Sequence, residues 1–283
     1  MSTGRIDGNI DGSINASPDS RIHGKITLSL IGIGTGNPEH LTLQAVRALN
    51  ALDLILIPNK GRGKDDLAGL RQAICAEAIT STPGPQIVEF DLPVRDPAIV
   101  DYTARVDHWH DAIAQVWVET IRANLPVASR PEDGAKVGFL VWGDPSLYDS
   151  TMRIAERLRR NSDISLKVIP GVTSIQALTA AHAVPLNEIG APFTVTTGRQ
   201  LRESGWPATA DTLVVMLDGE CSFQAIDPNR VEIWWSAYAG MENQISLSGS
   251  LAQVADEIIA TRAKARAEHG WIMDIYLLLK STP

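Results

Sequence analysis

The chain has 283 residues, is 44% hydrophobic and carries a formal net charge of −8. This length is sufficient for two domains of ordinary size. The acidic balance, with no long basic run, argues against non-specific binding to nucleic acid. No apolar stretch approaches the ~18 residues that a membrane-spanning helix needs, so we expect no membrane association.

The amino-terminal segment is polar, and it has neither the charged region nor the apolar region of a signal peptide. We expect residues 1–24 to form a flexible extension. Only two cysteines occur, Cys75 and Cys221, and they lie in different segments. This spacing argues against a disulfide framework and favours a reducing cytoplasm.

Strand and helix patterns alternate through residues 25–168. Short apolar runs predict buried strands, and apolar positions that recur every three or four residues predict helices. The predicted strands cover residues 26–34, 53–58, 86–91, 136–142 and 166–169. The predicted helices cover residues 41–52, 66–78, 99–123 and 150–160. This alternation is typical of a mostly parallel sheet with helices on its faces.

The pattern changes in residues 169–283, which we interpret as a second α/β domain. A helix of small residues is predicted at 174–182 and a longer helix at 250–267. Between and after them lie predicted strands at 193–197, 212–217, 231–237, 245–248 and 271–279. Successive strands with few helices predict a mixed, partly antiparallel sheet.

Three motifs follow the ends of predicted buried strands. They are G-I-G-T-G-N-P (Gly32 to Pro38), W-G-D-P-S-L-Y (Trp142 to Tyr148) and I-P-G-V-T-S (Ile169 to Ser174). Open parallel sheets bind ligands just outside the carboxyl ends of their strands. The order and spacing of the motifs therefore predict a ligand cleft, and each motif alone is weak evidence for one.

The glycine loop has three competing interpretations. A nicotinamide-binding fingerprint needs a sixth-position glycine, where this chain has Asn37, and an acid at the end of the second strand. That strand ends at Pro58 without an acid, which also disfavours the common nucleoside-binding methyltransferase fold. A loop that ends in proline, followed by an acid and then by Leu41, Thr42 and Leu43, favours the third interpretation, given below. A purely structural turn also stays open.

The other two motifs also have structural alternatives. Asp144 could accept hydrogen bonds from its own loop or from a ligand, or it could cap the following helix. Thr173 and Ser174 stand at the start of a predicted helix, where they could be caps. They could equally present hydroxyl and N–H groups to a carboxylate or a ribose.

Together, the motifs resemble those of the tetrapyrrole methylases of corrin and siroheme synthesis, over nearly the whole chain after residue 26. The segments F-D-L-P-V-R-D-P, V-D-H-W-H and W-W-S-A-Y-A-G are most similar to the deacetylating branch of that family. The resemblance implies a mostly parallel N-terminal sheet, a mixed C-terminal sheet and an S-adenosylmethionine cleft between them. It also implies a homodimer that methylates carbon 1 of precorrin-5 and releases acetate. Methylation at another carbon and a non-catalytic donor-binding module are the alternatives.

The resemblance also implies which residues meet the methyl donor. They are Pro38, Gly143, Asp144, Leu147, Thr173, Ser174, Leu217 and Ala239. Asn37 and Leu217 stand where relatives usually have aspartate and methionine, and both changes conserve shape.

Acetate release needs a base or an oxyanion donor. The candidates are Asp107, His110 and Tyr148, with Asp218 as a further one, against the alternative of packed or surface side chains. We expect no metal site, because His108 and His110 point to different faces of a predicted helix.

The carboxylates of the substrate should meet local basic groups despite the acidic total. Arg95 and Arg199 are the candidates, with Lys60 and Arg62 as a second choice. Solvated surface arginines are the alternative. Four tryptophans could wall a macrocycle pocket, although core packing is the commoner fate of tryptophan; they are Trp109, Trp142, Trp234 and Trp235.

Overall fold

The structure is a computed structural model that describes residues 21–59, 65–125 and 133–280. Most of the predicted extension, residues 1–20, therefore lies outside the described residues, as do Lys60 and Arg62. The expectation of a flexible extension was wrong for Ile22. This side chain is buried in the first core, and its N–H donates to the Ser162 hydroxyl.

The first sheet is parallel throughout, with strand order β3-β2-β4-β1-β5. Its strands are β1 (Ile26–Gly32), β2 (Leu54–Asn59), β3 (Gln86–Asp91), β4 (Ala135–Val141) and β5 (Ile164–Ile169). Its helices are α1 (Leu43–Leu49), α2 (Asp65–Ala78), α3 (Tyr102–Asn124) and α4 (Thr151–Asn161). One core cluster packs this sheet against α3 and α4, and another packs it against α1 and α2. Central strands are consequently apolar on both faces, as predicted.

The second sheet is mixed, with strand order β6-β7-β10-β8-β9. Its strands are β6 (Phe193–Thr197), β7 (Thr212–Met216), β8 (Val231–Ala237), β9 (Ile245–Ser250) and β10 (Asp274–Lys280). Only β6 and β7 pair in parallel. The helices are α5 (Ser174–His182), α6 (Gly198–Ser204) and α7 (Leu251–His269). The prediction of two α/β units with these two kinds of sheet is confirmed, and the boundary near Ile169 stays a prediction.

One helix was missed, and the bounds of several elements differ from the prediction. Helix α6 was not predicted, because its seven residues are too few for a clear period; Thr197 caps its start by accepting from the Gln200 N–H. The last strand was predicted from residue 271 but begins at Asp274. Residues 271–273 are apolar like a strand, but they line a cavity between the domains.

Candidate functional site

The three predicted motifs meet at one edge of the first sheet. They follow β1, β4 and β5, which are neighbours in the strand order. Gly34 and Gly143 form an antiparallel bridge, in which the Gly143 N–H donates to the Gly34 carbonyl over 2.8 Å. The Gly171 N–H donates to the Asp144 carboxylate over 2.9 Å. The three loops are therefore joined directly to one another.

Glycine is required where these loops touch. A Cβ atom added to Gly32 would lie 2.6 Å from the Gly171 nitrogen. A Cβ atom on Gly171 would collide with the Gly143 carbonyl oxygen. Because the obstructing atoms belong to backbone, no side-chain rotation could relieve the overlap.

Asp144 accepts from its own loop as well as from Gly171. Its carboxylate receives the Ser146 N–H at 2.8 Å and the Ser146 hydroxyl at 2.5 Å. Burial by itself would raise the pKa of Asp144, but these hydrogen bonds outweigh it and hold the pKa below its ordinary value. Asp144 does not cap a helix, since α4 begins at Thr151 with Ser150 as its N-cap.

Thr173 is the N-cap of α5. Its hydroxyl lies 2.6 Å from the Gln176 carboxamide oxygen, and it accepts from the Ile175 N–H at 3.2 Å. The Thr173 N–H donates to the same carboxamide oxygen. This capping box fixes the direction in which the helix leaves the third motif.

The second domain packs against the glycine loop of the first motif, residues 32–38. A Cβ atom on Gly240 would collide with the His40 ring, and His40 Nδ1 lies 2.8 Å from the Thr35 hydroxyl. Gly36 packs in turn against Trp142 and Met241. These contacts place the loop after β8 directly on the first motif.

A cavity of about 510 Å³ lies between the domains and is called here the interdomain cavity. It is lined mainly by apolar groups, as small-molecule sites usually are. The first domain contributes Thr35 and Trp142, and the second contributes Ser174, Met216, Leu217, Tyr238, Ala239 and residues 271–275. A second cavity has a volume of about 490 Å³. The residues that line it include Thr42, Asp144, Leu147, Gly171 and Thr173.

Six of the residues predicted to meet the donor divide between these two cavities, whereas Gly143 and Pro38 line neither. Ser174, Leu217 and Ala239 line the interdomain cavity, and Asp144, Leu147 and Thr173 line the second one. Gly143 packs next to Thr173, because a Cβ atom added to Gly143 would lie 3.8 Å from the Thr173 Cα atom. Pro38 lines neither cavity and opens the short 3₁₀ turn Pro38–His40.

Three non-glycine residues at the cleft have left-handed backbones. They are Tyr148, Leu217 and Tyr238, with φ values of 51°, 52° and 51°. Such conformations are uncommon for large side chains and concentrate at ligand sites. Sequence reasoning missed Tyr238, which lines the interdomain cavity. Tyr238 directly follows a predicted strand, as Leu217 does, so the strand-end rule applied to Leu217 could have found it.

Asp218 follows Leu217 and is buried beside the interdomain cavity. Its carboxylate accepts from the Tyr276 hydroxyl at 2.6 Å, the Ser222 N–H at 2.5 Å, the Ser222 hydroxyl at 2.7 Å and the Glu220 N–H at 3.0 Å. Burial would raise the pKa of Asp218, but these donors hold it below its ordinary value. The carboxylate is thereby engaged in holding the loop after β7.

A second buried charge supports the same loop. The Arg262 guanidinium pairs with Asp274 at 2.8 Å and donates to the Asp218 carbonyl at 3.0 Å. The Trp235 indole N–H also donates to Asp274. Trp235 is therefore a core residue rather than a wall of the cavity.

The predicted catalytic residues are not brought together. Tyr148 lies at the cleft, where its hydroxyl is 3.4 Å from the Val195 carbonyl of the second domain. Asp107 is exposed and pairs with Arg157 at 3.1 Å. His110 is buried, with no hydrogen-bond partner for either ring nitrogen among the described residues, and burial followed by the Arg157 charge lowers its pKa. None of these three residues, Asp107, His110 and Tyr148, lines either cavity.

Arg95 and Arg199 both reach aromatic rings of α3. The Arg95 guanidinium lies 4.3 Å from the centre of the Trp109 ring, and that of Arg199 lies 5.7 Å from the Tyr102 ring. Their role toward a substrate stays a prediction.

Over the described ranges, no group of three or more His, Cys, Asp or Glu residues could hold a metal ion. No helix there is long and apolar enough to span a membrane.

Comparison with known proteins identifies the family. The sequence model described as Tetrapyrrole (Corrin/Porphyrin) Methylases matches residues 27–255. The chain belongs to the tetrapyrrole methylase family. A relative from Sinorhizobium sp., precorrin-6A synthase [deacetylating], is 49% identical over 89% of this chain and 94% of its own length.

Solved structures agree with this assignment. The putative cobalamin synthesis related protein (CobF) from Corynebacterium diphtheriae is 38% identical, with a TM-score of 0.76 over 91% of this chain and 99% of its own. The uroporphyrin-III C-methyl transferase of Thermus thermophilus, complexed with S-adenyl homocysteine, has a TM-score of 0.54 over 91% and 98% of the chains. At 20% identity, this second similarity shows the fold alone.

Proposed function

We propose that this tetrapyrrole methylase transfers a methyl group from S-adenosylmethionine to carbon 1 of precorrin-5 and releases acetate, which is the activity of a deacetylating precorrin-6A synthase. The observation that carries the proposal is the 49% identity to a relative of that name, over nearly the full length of both chains. The deacetylating branch is also the one that the sequence segments favour.

The interdomain cavity fits an adenosyl group. Its size and mainly apolar lining suit a flat heterocycle, and Leu217 and Ala239 are among the residues that line it. We assign the remainder of the donor to the loops around Gly143, Asp144 and Thr173, where backbone can approach a ligand closely. The donor itself supplies an electrophilic methyl group on a sulfonium.

The protein's part in methyl transfer is mainly to hold the two partners in line. Positioning of this kind can contribute ~7–11 kcal/mol in favourable cases. Acetate release also requires attack of water on the acetyl carbonyl, which breaks the bond between the acetyl group and the macrocycle and leaves that electron pair on the ring carbon. We assign the proton transfer or oxyanion contact in that step to Tyr148, because, of the predicted candidates Asp107, His110 and Tyr148, it alone reaches across the cleft.

We further propose that Arg95 and Arg199 bind substrate carboxylates, and that the enzyme is a cytoplasmic homodimer. The cytoplasmic assignment rests on the two cysteines, which are both free and buried. The dimer rests on family resemblance, and sedimentation equilibrium tests it.

Incubation with methyl-labelled donor and precorrin-5, followed by assays for label and acetate, tests the activity. We expect a labelled macrocycle and one equivalent of acetate, with neither product when the donor is omitted. Methylation without acetate would favour another precorrin C-methyltransferase. Donor binding without either product would favour a non-catalytic module.

A further inference from the structure

Three arginines gather around one face of α3 near its start. Arg105 and Arg199 lie 6.0 Å and 5.7 Å from the centre of the same Tyr102 ring. Arg95 stacks on Trp109, seven residues further along the helix. Seven residues correspond to about two turns, so the two rings share a face and are ~10 Å apart along the axis.

These guanidiniums have no carboxylate partner among the described residues. The nearby acids are engaged elsewhere. Asp96 accepts from the Ala98 N–H, and Asp101 accepts from the Ala104 N–H as the N-cap of α3. Three guanidiniums thus lie together without a direct ion pair among the described residues, and such a local group of positive charges suits an anionic ligand.

The aromatic rings hold the arginines in place. The Trp109 indole N–H donates to the Pro93 carbonyl over 2.6 Å, which ties the segment carrying Arg95 to α3. Stacked guanidiniums keep their N–H edges free, and those edges match carboxylates.

The third arginine connects this face to the interdomain cavity. Arg199 is the second residue of α6, and a Cβ atom on the preceding Gly198 would collide with the Asp218 carboxylate. In β6, Thr197 pairs with Met216, which lines the cavity. The Arg199 backbone therefore sits beside the cavity in the second domain, and its side chain reaches Tyr102 in the first domain.

We infer that Arg95, Arg105 and Arg199 form one carboxylate-binding surface, the arginine cluster, that holds the rim of a polycarboxylate macrocycle across the mouth of the interdomain cavity. Charges spread over ~10 Å suit several separated carboxylates better than one compact anion. Arg105 and Tyr102 become specificity residues, and the ligand bridges both domains. The inference rests on the proposed function for the identity of the macrocycle.

Binding of uroporphyrin III, a polycarboxylate macrocycle, is measured by quenching of tryptophan fluorescence. The variants are Arg95→Gln, Arg105→Gln and Arg199→Gln, with Arg160→Gln, an exposed arginine at the end of α4, as the matched control. Loss of one charge-assisted hydrogen bond should weaken binding roughly ten- to hundredfold, while affinity for S-adenosylhomocysteine and the control stay unchanged. Tyr102→Leu should weaken binding and Tyr102→Phe should not, because only the ring is needed.

Wild-type affinity for uroporphyrin III in all three arginine variants would overturn the arginine cluster, whether or not the enzyme acts on precorrin-5. Failure of the wild type to release acetate, with macrocycle binding still dependent on these arginines, would overturn the proposed reaction and leave the cluster intact. A wild type that does not bind uroporphyrin III at all would also count against the cluster.

Discussion

Asp144 joins two loops of the first domain through its side chain, and the second cavity lies beside it. We predict that Asp144→Ala weakens donor binding more than it weakens folding. The variant leaves the Gly171 N–H without its acceptor, which costs about 1–3 kcal/mol, and it also frees the loop that should meet the donor. Calorimetric titration with S-adenosylhomocysteine and thermal unfolding measure the two effects.

Ser146→Ala is the matched control for Asp144, because it removes one hydrogen bond to the carboxylate and keeps the bond to Gly171. It should bind the donor nearly normally. Unchanged affinity in Asp144→Ala, with a large loss of thermal stability, would mean that this carboxylate is only structural.

Asp218 gives a prediction about pH. Its pKa in the folded protein is lowered, so the stability it contributes is present above its unfolded pKa of about 3.9 and is lost as the pH falls through the lower folded value. Asp218→Asn should reduce the free energy of unfolding by about 1.5–3 kcal/mol at pH 7. Urea unfolding from pH 7 to pH 3 should show this difference shrinking below about pH 4. A difference that stays constant over the range would contradict the assignment.

Among the larger elements, the contact of the β1, β4 and β5 loops depends on glycine. Gly171→Ala should separate these loops, because the new methyl group meets the Gly143 carbonyl oxygen. We expect lower stability and loss of donor affinity together. Gly69→Ala is the matched control, since Gly69 lies inside α2 and, outside its own helix backbone, no atom of the described residues is within 4 Å of an added Cβ.

Gly69→Ala should raise the free energy of unfolding by about 0.4–1 kcal/mol, because alanine reduces the conformational freedom of the unfolded chain. Chemical denaturation of both variants measures the contrast. A Gly171→Ala protein as stable as the wild type would show that the three loops can move apart without cost.

At the scale of the whole molecule, one donor should bind between the domains. S-adenosylhomocysteine at a hundred times its Kd should add ~2.7 kcal/mol to the free energy of unfolding. Hydrogen exchange should slow both in the first motif, residues 32–38, and around Leu217 and Ala239. Protection of only one of these regions would place the ligand within a single domain.

The sequence by itself determined the two kinds of sheet, most element positions and the three motifs. These features are local, since period and composition report whether a segment is buried on one face or on both. The junction of the loops at Gly32, Gly143 and Gly171 could also be anticipated, because carboxyl ends of neighbouring parallel strands meet at one edge.

Only the tertiary structure decided which partners the polar side chains have. Asp218 is bound by Tyr276, which is 58 positions away, and Arg199 meets Tyr102 from the other domain. The same geometry made Thr173 a helix cap and separated Asp107 and His110 from the cavities. Such contacts form only when whole elements pack against one another. The local sequence around a residue therefore does not indicate which distant residue will contact it.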